Sequence, residues 1–175
     1  MYIQHPDSIV NINGTGKYIG LDTALSDHPR IVYTGNEHRI ADGLTLYSCN
    51  LRERNHGFGS CGLTEKVESG FIPDDFRHEQ YLLIEENGRR VLISGCSHKG
   101  ILDITEWFAP DVLVGGFHFS KLPLDETLAD AARHLASYQT RYYTCHCTGT
   151  EQFAYMKHFL PELFYLACGD SIEIP

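Results

Sequence analysis

No stretch at the amino terminus of this 175-residue chain reads as an export signal, and no apolar run approaches the roughly 20 residues of a membrane span. Basic residues are few, 14 Lys and Arg against 23 Asp and Glu for a net charge of -9, and they form no cluster. That excludes a nucleic-acid groove or an anionic membrane surface as the organising function. Internal repeats and low-complexity tracts are also missing, which leaves an ordinary globular domain, expected to be soluble and cytoplasmic. The length fits one domain, residues 1–175, able to bury roughly 70% of its unfolded surface. Without an export signal the six cysteines are expected as reduced thiols. Cys49, Cys61 and Cys168 read as small buried hydrophobes, and Cys145 and Cys147 are too close for an ordinary disulfide.

What is present is concentrated in the second half. Val91 to Ile101 reads V-L-I-S-G-C-S-H-K-G-I, a buried strand opening at Gly95 into a loop that carries Cys96 and His98. Tyr142 to Gly149, Y-Y-T-C-H-C-T-G, is a second strand entering a ligand-rich turn. Between them, Ile101 to Phe108 is expected as a helix stopped by Pro110, Val112 to Val114 as a short strand delivering Gly115, Gly116, Phe117 and His118, and Leu124 to Tyr138 as an amphipathic helix. Gln80 to Glu85 and Arg90 to Ser94 pair across Asn87-Gly88, a strong hairpin signal. Thr150 to Leu160 is expected as a helix, with Leu163 to Cys168 and Ile172 to Ile174 as closing strands.

The first half is less periodic. Residues 1–29 read as a loop-rich lead-in, Arg30 to Thr34 and Gly43 to Cys49 as strands, and Asn50 to Gly70, with its glycines, as a long loop. Strand and helix alternate in residues 71–175, so the class is an α/β layered domain.

Three successive strand ends carry histidine: His98, His118 and His146. Ligand sites in open α/β sheets lie beyond the carboxyl ends of the strands, so the three can converge in one crevice. Imidazole and thiolate together suit zinc, with manganese or iron as alternatives. Taken singly, each is an ordinary loop histidine; repetition at equivalent positions favours a divalent-metal site. Thr148, Gly149 and Thr150 place backbone N-H groups at a helix start, where an anion can bind, although Thr150 alone also reads as a simple N-cap. Asp75 and His78, in the acidic run that also contains Asp74 and Glu79, are candidates for an added ligand or a general base, or form a solvated turn.

The blocks G-C-S-H-K-G-I, G-G-F-H and T-C-H-C-T-G, in this order and spacing, resemble the metallo-β-lactamase fold superfamily. More narrowly they are similar to its branch of dihydropterin-ribofuranosyl-aminobenzene phosphate synthase-like metal-dependent hydrolases. The resemblance implies a four-layer αββα sandwich with metal at one edge, His98 and His146 as ligands, and His118 at the rim. Cys96 falls near the place where many relatives carry a metal-bridging Asp. The superfamily's His-x-His-x-Asp-His motif does not occur in this sequence, so the resemblance implies a sandwich incomplete at its amino terminus, with a second chain supplying the missing half or a homo-oligomer covering it. Hydrolysis of an ester or phosphoester is the expected activity of the intact type. The alternatives are a structural or sensory zinc domain using Cys96, His98, Cys145, His146 and Cys147, in which an intact strand would turn both Cys145 and Cys147 away from His146, and a metal-free partner-binding domain.

Overall fold

Alternating and continuous apolar runs produce thirteen strands and three α-helices among the residues that the computed structural model describes, namely 1–3, 8–12, 15–18, 20–57 and 62–174, with backbone alone for residues 2, 8–12, 15–17 and 23. In chain order the first eight strands are β1 (Tyr2–Ile3), β2 (Ser8–Ile12), β3 (Thr15–Tyr18), β4 (Val32–Tyr33), β5 (Glu37–Ala41), β6 (Leu44–Tyr47), β7 (Leu63–Val67) and β8 (Gly70–Pro73). There follow β9 (Tyr81–Glu86), β10 (Arg89–Ile93), α1 (Ile101–Phe108), β11 (Val112–Gly115), α2 (Glu126–Ala136), β12 (Arg141–Thr144), α3 (Thr150–Met156) and β13 (Leu163–Tyr165). His5-Pro6-Asp7, Asn13-Gly14, Gly59 and Cys61 lie outside the described residues.

A seven-stranded sheet in the order β13-β12-β11-β10-β9-β6-β5 carries the helices. Strands β10 to β13 are mutually parallel, and α1, α2 and α3 form the crossovers between them. Strands β9 and β10 are antiparallel across the Asn87-Gly88 turn, where both residues take positive φ, as the two-residue hairpin requires. A second, antiparallel sheet runs β3-β2-β7-β8, and β1 pairs with β4.

The core lies under the helices. Leu83, Leu92, Leu113, Tyr142 and Leu163 are register partners in one row across the large sheet, and all are buried. They pack with Ile101, Ile104 and Phe108 of α1, Leu128, Ala131, Ala132 and Leu135 of α2, and Met156 of α3. Each large side chain in this cluster contributes about 1.5–3 kcal/mol by leaving water. On the opposite face the partner row Leu82, Ile93, Val114, Tyr143 and Phe164 is covered less completely, with Ile93 and Phe164 each 36% exposed.

Local chemistry sets the helix ends. Ala109 caps α1 in the left-handed region at φ 39°, its N-H returning to Thr105 O, and Pro110 follows. Asp125 caps α2, its carboxylate accepting from Thr127 N at 3.0 Å, so the helix starts at Glu126 rather than Leu124. Several expectations are corrected. Residues 1–29 are not simply a loop, since β1, β2 and β3 lie within them, and the Asn50–Gly70 stretch contains β7. In both places the strands form through pairing with distant segments, such as β2 with β7, which local periodicity does not register. Strand β5 was not anticipated, α3 ends at Met156, and no strand forms over residues 172–174.

Candidate metal centre

Strands β10, β11 and β12 are adjacent and parallel, so their carboxyl ends open at one edge of the sheet. Two glycines let these ends crowd together. A Cβ on Gly115 would lie 2.5 Å from Ser94 O, and one on Gly116 would lie 2.5 Å from Cys147 Sγ and 3.3 Å from Cys145 O. Gly116 N donates to Gly95 O at 2.8 Å, and Ser120 N to Cys147 O at 3.1 Å, so backbone bonds join all three loops.

The ligand-type side chains gather around Cys96. Its sulfur forms one trio with ring nitrogens of His98 and His118, and another with His146 and the Cys147 thiol; within each trio the ligand atoms lie within 4.8 Å of one another. The His98 and His118 rings meet edge to face with centroids 4.4 Å apart. The expected pair His98 and His146 thus falls in two different trios that share one thiol. Cys147 joins the cluster because β12 ends at Thr144, His146 takes φ 53°, and His146–Thr148 form a single 3-10 turn. The backbone reversal replaces the strand alternation that would have separated His146 from Cys147. Cys145 belongs to neither trio.

Glu79 fixes the first loop. Its carboxylate is 8% exposed and accepts from His98 N at 2.7 Å, Lys99 N at 3.0 Å and Tyr81 OH at 2.6 Å. Lys99 is buried, and its ammonium donates to Ser48 O and to Asn50 Oδ1. Sequence reasoning placed Glu79 only within an acidic run. Its one signal was its position two residues before Tyr81 on the buried face of a strand.

Electrostatics follow the same contacts. Hydrogen bonds from the Cys147 thiol and from His118 and His98 hold Cys96 far below the ordinary thiol value despite burial, while the bond to Cys96 and burial push Cys147 up. Burial disfavours a charge on His98, but the Cys96 hydrogen bond and the Glu79 carboxylate outweigh it and raise the imidazole. Burial brings Lys99 down to about 8 against the pull of Glu79.

The remaining candidates are placed differently. Thr148 is buried; its hydroxyl accepts from Phe117 N at 2.9 Å and bonds Thr144, whose own hydroxyl donates to Gly115 O. It is therefore a strut between loops, and its hydroxyl is not presented to an anion. Gly149, at φ 85°, occupies the N-cap position of α3 without a side-chain cap, so Thr150 is the first helical residue and not the cap. Asp75 is half exposed, paired with Arg54 at 2.8 Å, and belongs to neither trio. His78 is half-buried, its pKa lowered by burial against Asp74 and Glu79. Its ring faces Phe76, which in turn lies 4.8 Å from the His98 ring.

Borderline donors, thiolate and imidazole, are those that zinc prefers. Among the described residues His118 Nδ1 is buried without a hydrogen-bond partner, whereas buried polar atoms otherwise find partners. The residues fit a divalent metal of the zinc class.

No protein-family model and no curated protein sequence matches this chain. Among solved structures it is similar to a metal-dependent hydrolase of the beta-lactamase superfamily, with a TM-score of 0.77 and 21% identity over 99% of this chain and 70% of that one. An isothiocyanate hydrolase from Delia radicum gut bacteria aligns at a TM-score of 0.45 and 14% identity, over 82% of this chain and 59% of that one. Among the described residues, no helix is long and apolar enough to cross a membrane. The mixed strand-rich architecture and the alignment over nearly the whole chain give this protein a beta-lactamase-like α/β fold.

Proposed function

We propose that this chain carries the strand-end metal centre of a metal-dependent hydrolase, with Cys96, His98, His118, His146 and Cys147 as its ligands. The observation that carries the reading is the shared thiol, one sulfur within reach of an imidazole pair and of an imidazole-thiol pair. Zinc suits this donor set best, ahead of manganese or iron. The substrate class, an ester or phosphoester, comes from the resemblance of the G-C-S-H-K-G-I and T-C-H-C-T-G blocks. The likeness in fold to a metal-dependent hydrolase supports the reaction type.

When bound, the ion supplies Lewis acidity toward an acyl or phosphoryl oxygen. The chain's own residues prepare the place. Glu79 holds the His98 backbone through a 2.7 Å bond and so sets the ring against Cys96. Cys96 offers the ion negative charge as a thiolate. Phe76 packs on the His98 ring and excludes water from that side. The water-activating carboxylate of the His-x-His-x-Asp-His motif is not in this sequence. We assign that role to a segment or partner chain carrying it.

The test is metal content per chain for protein purified without added metal, alongside His98→Ala and His146→Ala, followed by hydrolysis of p-nitrophenyl phosphate, bis(p-nitrophenyl) phosphate and p-nitrophenyl acetate. Zinc lost in both variants supports one centre. A wild-type protein that takes up no metal at the thiol cluster after incubation with excess zinc refutes it. A second reading, a non-catalytic structural zinc site, is favoured by one observation: Cys147 Sγ is packed against Gly116 and 3.6 Å from Cys96 O. Tight retention against chelator with no turnover on any of the three esters selects it.

A further inference from the structure

We propose a second metal site, on the helical side of the molecule, in which His56, Glu106 and His134 hold a divalent ion of the zinc class and pin the loop of residues 50–57 to helices α1 and α2. It shares no residue with the strand-end cluster and does not depend on the hydrolase reading. Glu106 lies on α1, His134 near the end of α2, and His56 on the loop that follows β6.

The three side chains already meet. One nitrogen of each imidazole and one Glu106 oxygen lie within 4.8 Å of one another. His56 Nε2 is 3.3 Å from Glu106 Oε2, and the two imidazole rings have centroids 4.6 Å apart. Ligands about one tetrahedral ion at zinc bond lengths are separated by ~3.3 Å, so one edge of the triangle is already at that spacing and the others require a contraction of order 1 Å.

A second, independent observation points to a ligand. His134 Nε2 is buried and has no hydrogen-bond partner among the described residues, whereas buried polar atoms ordinarily find one. The same side chain lines an open cleft of about 410 Å³ together with Asn55, His56, Thr127 and Asp130. His56 and Glu106 side chains are 31% and 42% exposed, so an ion can enter from solvent.

The loop is held in place before any ion arrives. The Asp103 carboxylate, at the start of α1, accepts from Asn55 N at 2.7 Å and from His56 N at 3.1 Å. Trp107 Nε1 donates to Glu53 O, and Arg52 donates to Trp107 O. These bonds fix the backbone that presents His56, so little ordering entropy is left for binding to overcome. Two imidazoles and one carboxylate make up a zinc donor set with a position left for water, whereas calcium and magnesium prefer oxygen ligands throughout.

The experiment uses zinc and cobalt alone. Metal-free protein is titrated with zinc, and stoichiometry is compared for wild type, His134→Ala, Glu106→Gln and the strand-end variant Cys96→Ser/His146→Ala. The expected result is one equivalent fewer in His134→Ala than in wild type, and at least tenfold weaker binding of that equivalent in Glu106→Gln, whose exposed side chain leaves folding unaffected. With cobalt, the equivalent lost in His134→Ala has a visible ligand-field band but no thiolate charge-transfer band, which separates it from the Cys96 centre. Equal stoichiometry and equal affinity in wild type, His134→Ala and Glu106→Gln overturns the proposal. So does a Cys96→Ser/His146→Ala protein that retains its circular-dichroism spectrum and binds no zinc.

Discussion

Replacing Glu79 by Gln tests whether the site is held by one buried carboxylate. The wild-type oxygens accept three hydrogen bonds, from His98 N, Lys99 N and Tyr81 OH. A glutamine keeps only one acceptor oxygen. If it faces His98, the amide N-H group confronts the donor on Lys99; if it faces Lys99 and Tyr81, it confronts the donor on His98. Either way one buried N-H loses its acceptor and meets another donor, and the bonds that survive lose their charge assistance. An unsatisfied buried group costs about 1–3 kcal/mol and a bond to a charged group is worth about 1.5–3, so the loss is about 2–4 kcal/mol. For a chain of this size that corresponds to a fall in Tm of roughly 4–16 °C. The measurement is urea unfolding of metal-free wild-type and variant protein, with the m-value checked for constancy, because the metal would otherwise add its own binding energy. Tyr81→Phe, which removes a single donor to that charged carboxylate, is expected to lose about 1.5–3 kcal/mol. A Glu79→Gln protein within about 0.5 kcal/mol of wild type, the range of ordinary surface changes, would refute the assignment of Glu79 as the anchor.

Three further outcomes follow from the same geometry. Gly116→Ala sets a Cβ 2.5 Å from Cys147 Sγ and is expected to weaken zinc binding about 10–100-fold, as displaced supports of metal ligands do, measured by competition with a chromophoric chelator. Gly149→Ala combines φ 85° with a Cβ that would overlap Gln152 Oε1 and lie 2.9 Å from Ser120 Cα, and is expected to cost about 1–3 kcal/mol in chemical unfolding. Lys99 titrates at about 8 in the folded chain against 10.5 as its unperturbed value; between those limits the unfolded chain binds more protons, so this lysine's contribution to stability rises with pH. Subtracting the pH profile of Lys99→Met from that of wild type should isolate the rise, and a flat difference across that window would contradict it.

The helical half of the fold was legible because its signals are local. Ile101–Phe108 and Arg141–Thr144 form where periodicity and Pro110 put them, and Asn87-Gly88 closes the hairpin. The amino-terminal strands were not legible, because β2 is held by β7 more than fifty residues away and nothing in either segment announces the partner. At the site, His98, His118 and His146 were readable as candidates from repetition at strand ends, and each lies beside the Cys96 thiol. Cys147 was set aside because an intact strand would turn it away from His146; the turn over His146–Thr148 supplies the bend that brings the two together. The trio of His56, Glu106 and His134 was invisible for a related reason: its members lie on a loop and on two helices, and only the packing of α1 on α2 brings them together.

Backbone strain explains why these loops converge as they do. Each of the three strand ends contains a non-glycine residue in the left-handed region: Ser97 at φ 57°, His118 at 57° and His146 at 53°. This conformation is uncommon for such residues and costs of order 1 kcal/mol or more at each. It persists because other bonds over-determine it: Ser97 Oγ to Ser94 Oγ at 2.7 Å, Phe117 N to Thr148 Oγ1 at 2.9 Å, and Thr148 N to Cys145 O at 3.2 Å. Each strained residue either is a ligand-type side chain or lies between two of them, as Ser97 does between Cys96 and His98. The turn therefore decides where the adjacent donor points. Relaxing one turn into extended backbone would swing that donor away from the Cys96 sulfur while leaving the sheet intact. Strain shared among three loops that meet at one thiol follows if the loops were shaped by what they hold together and the strands only deliver them.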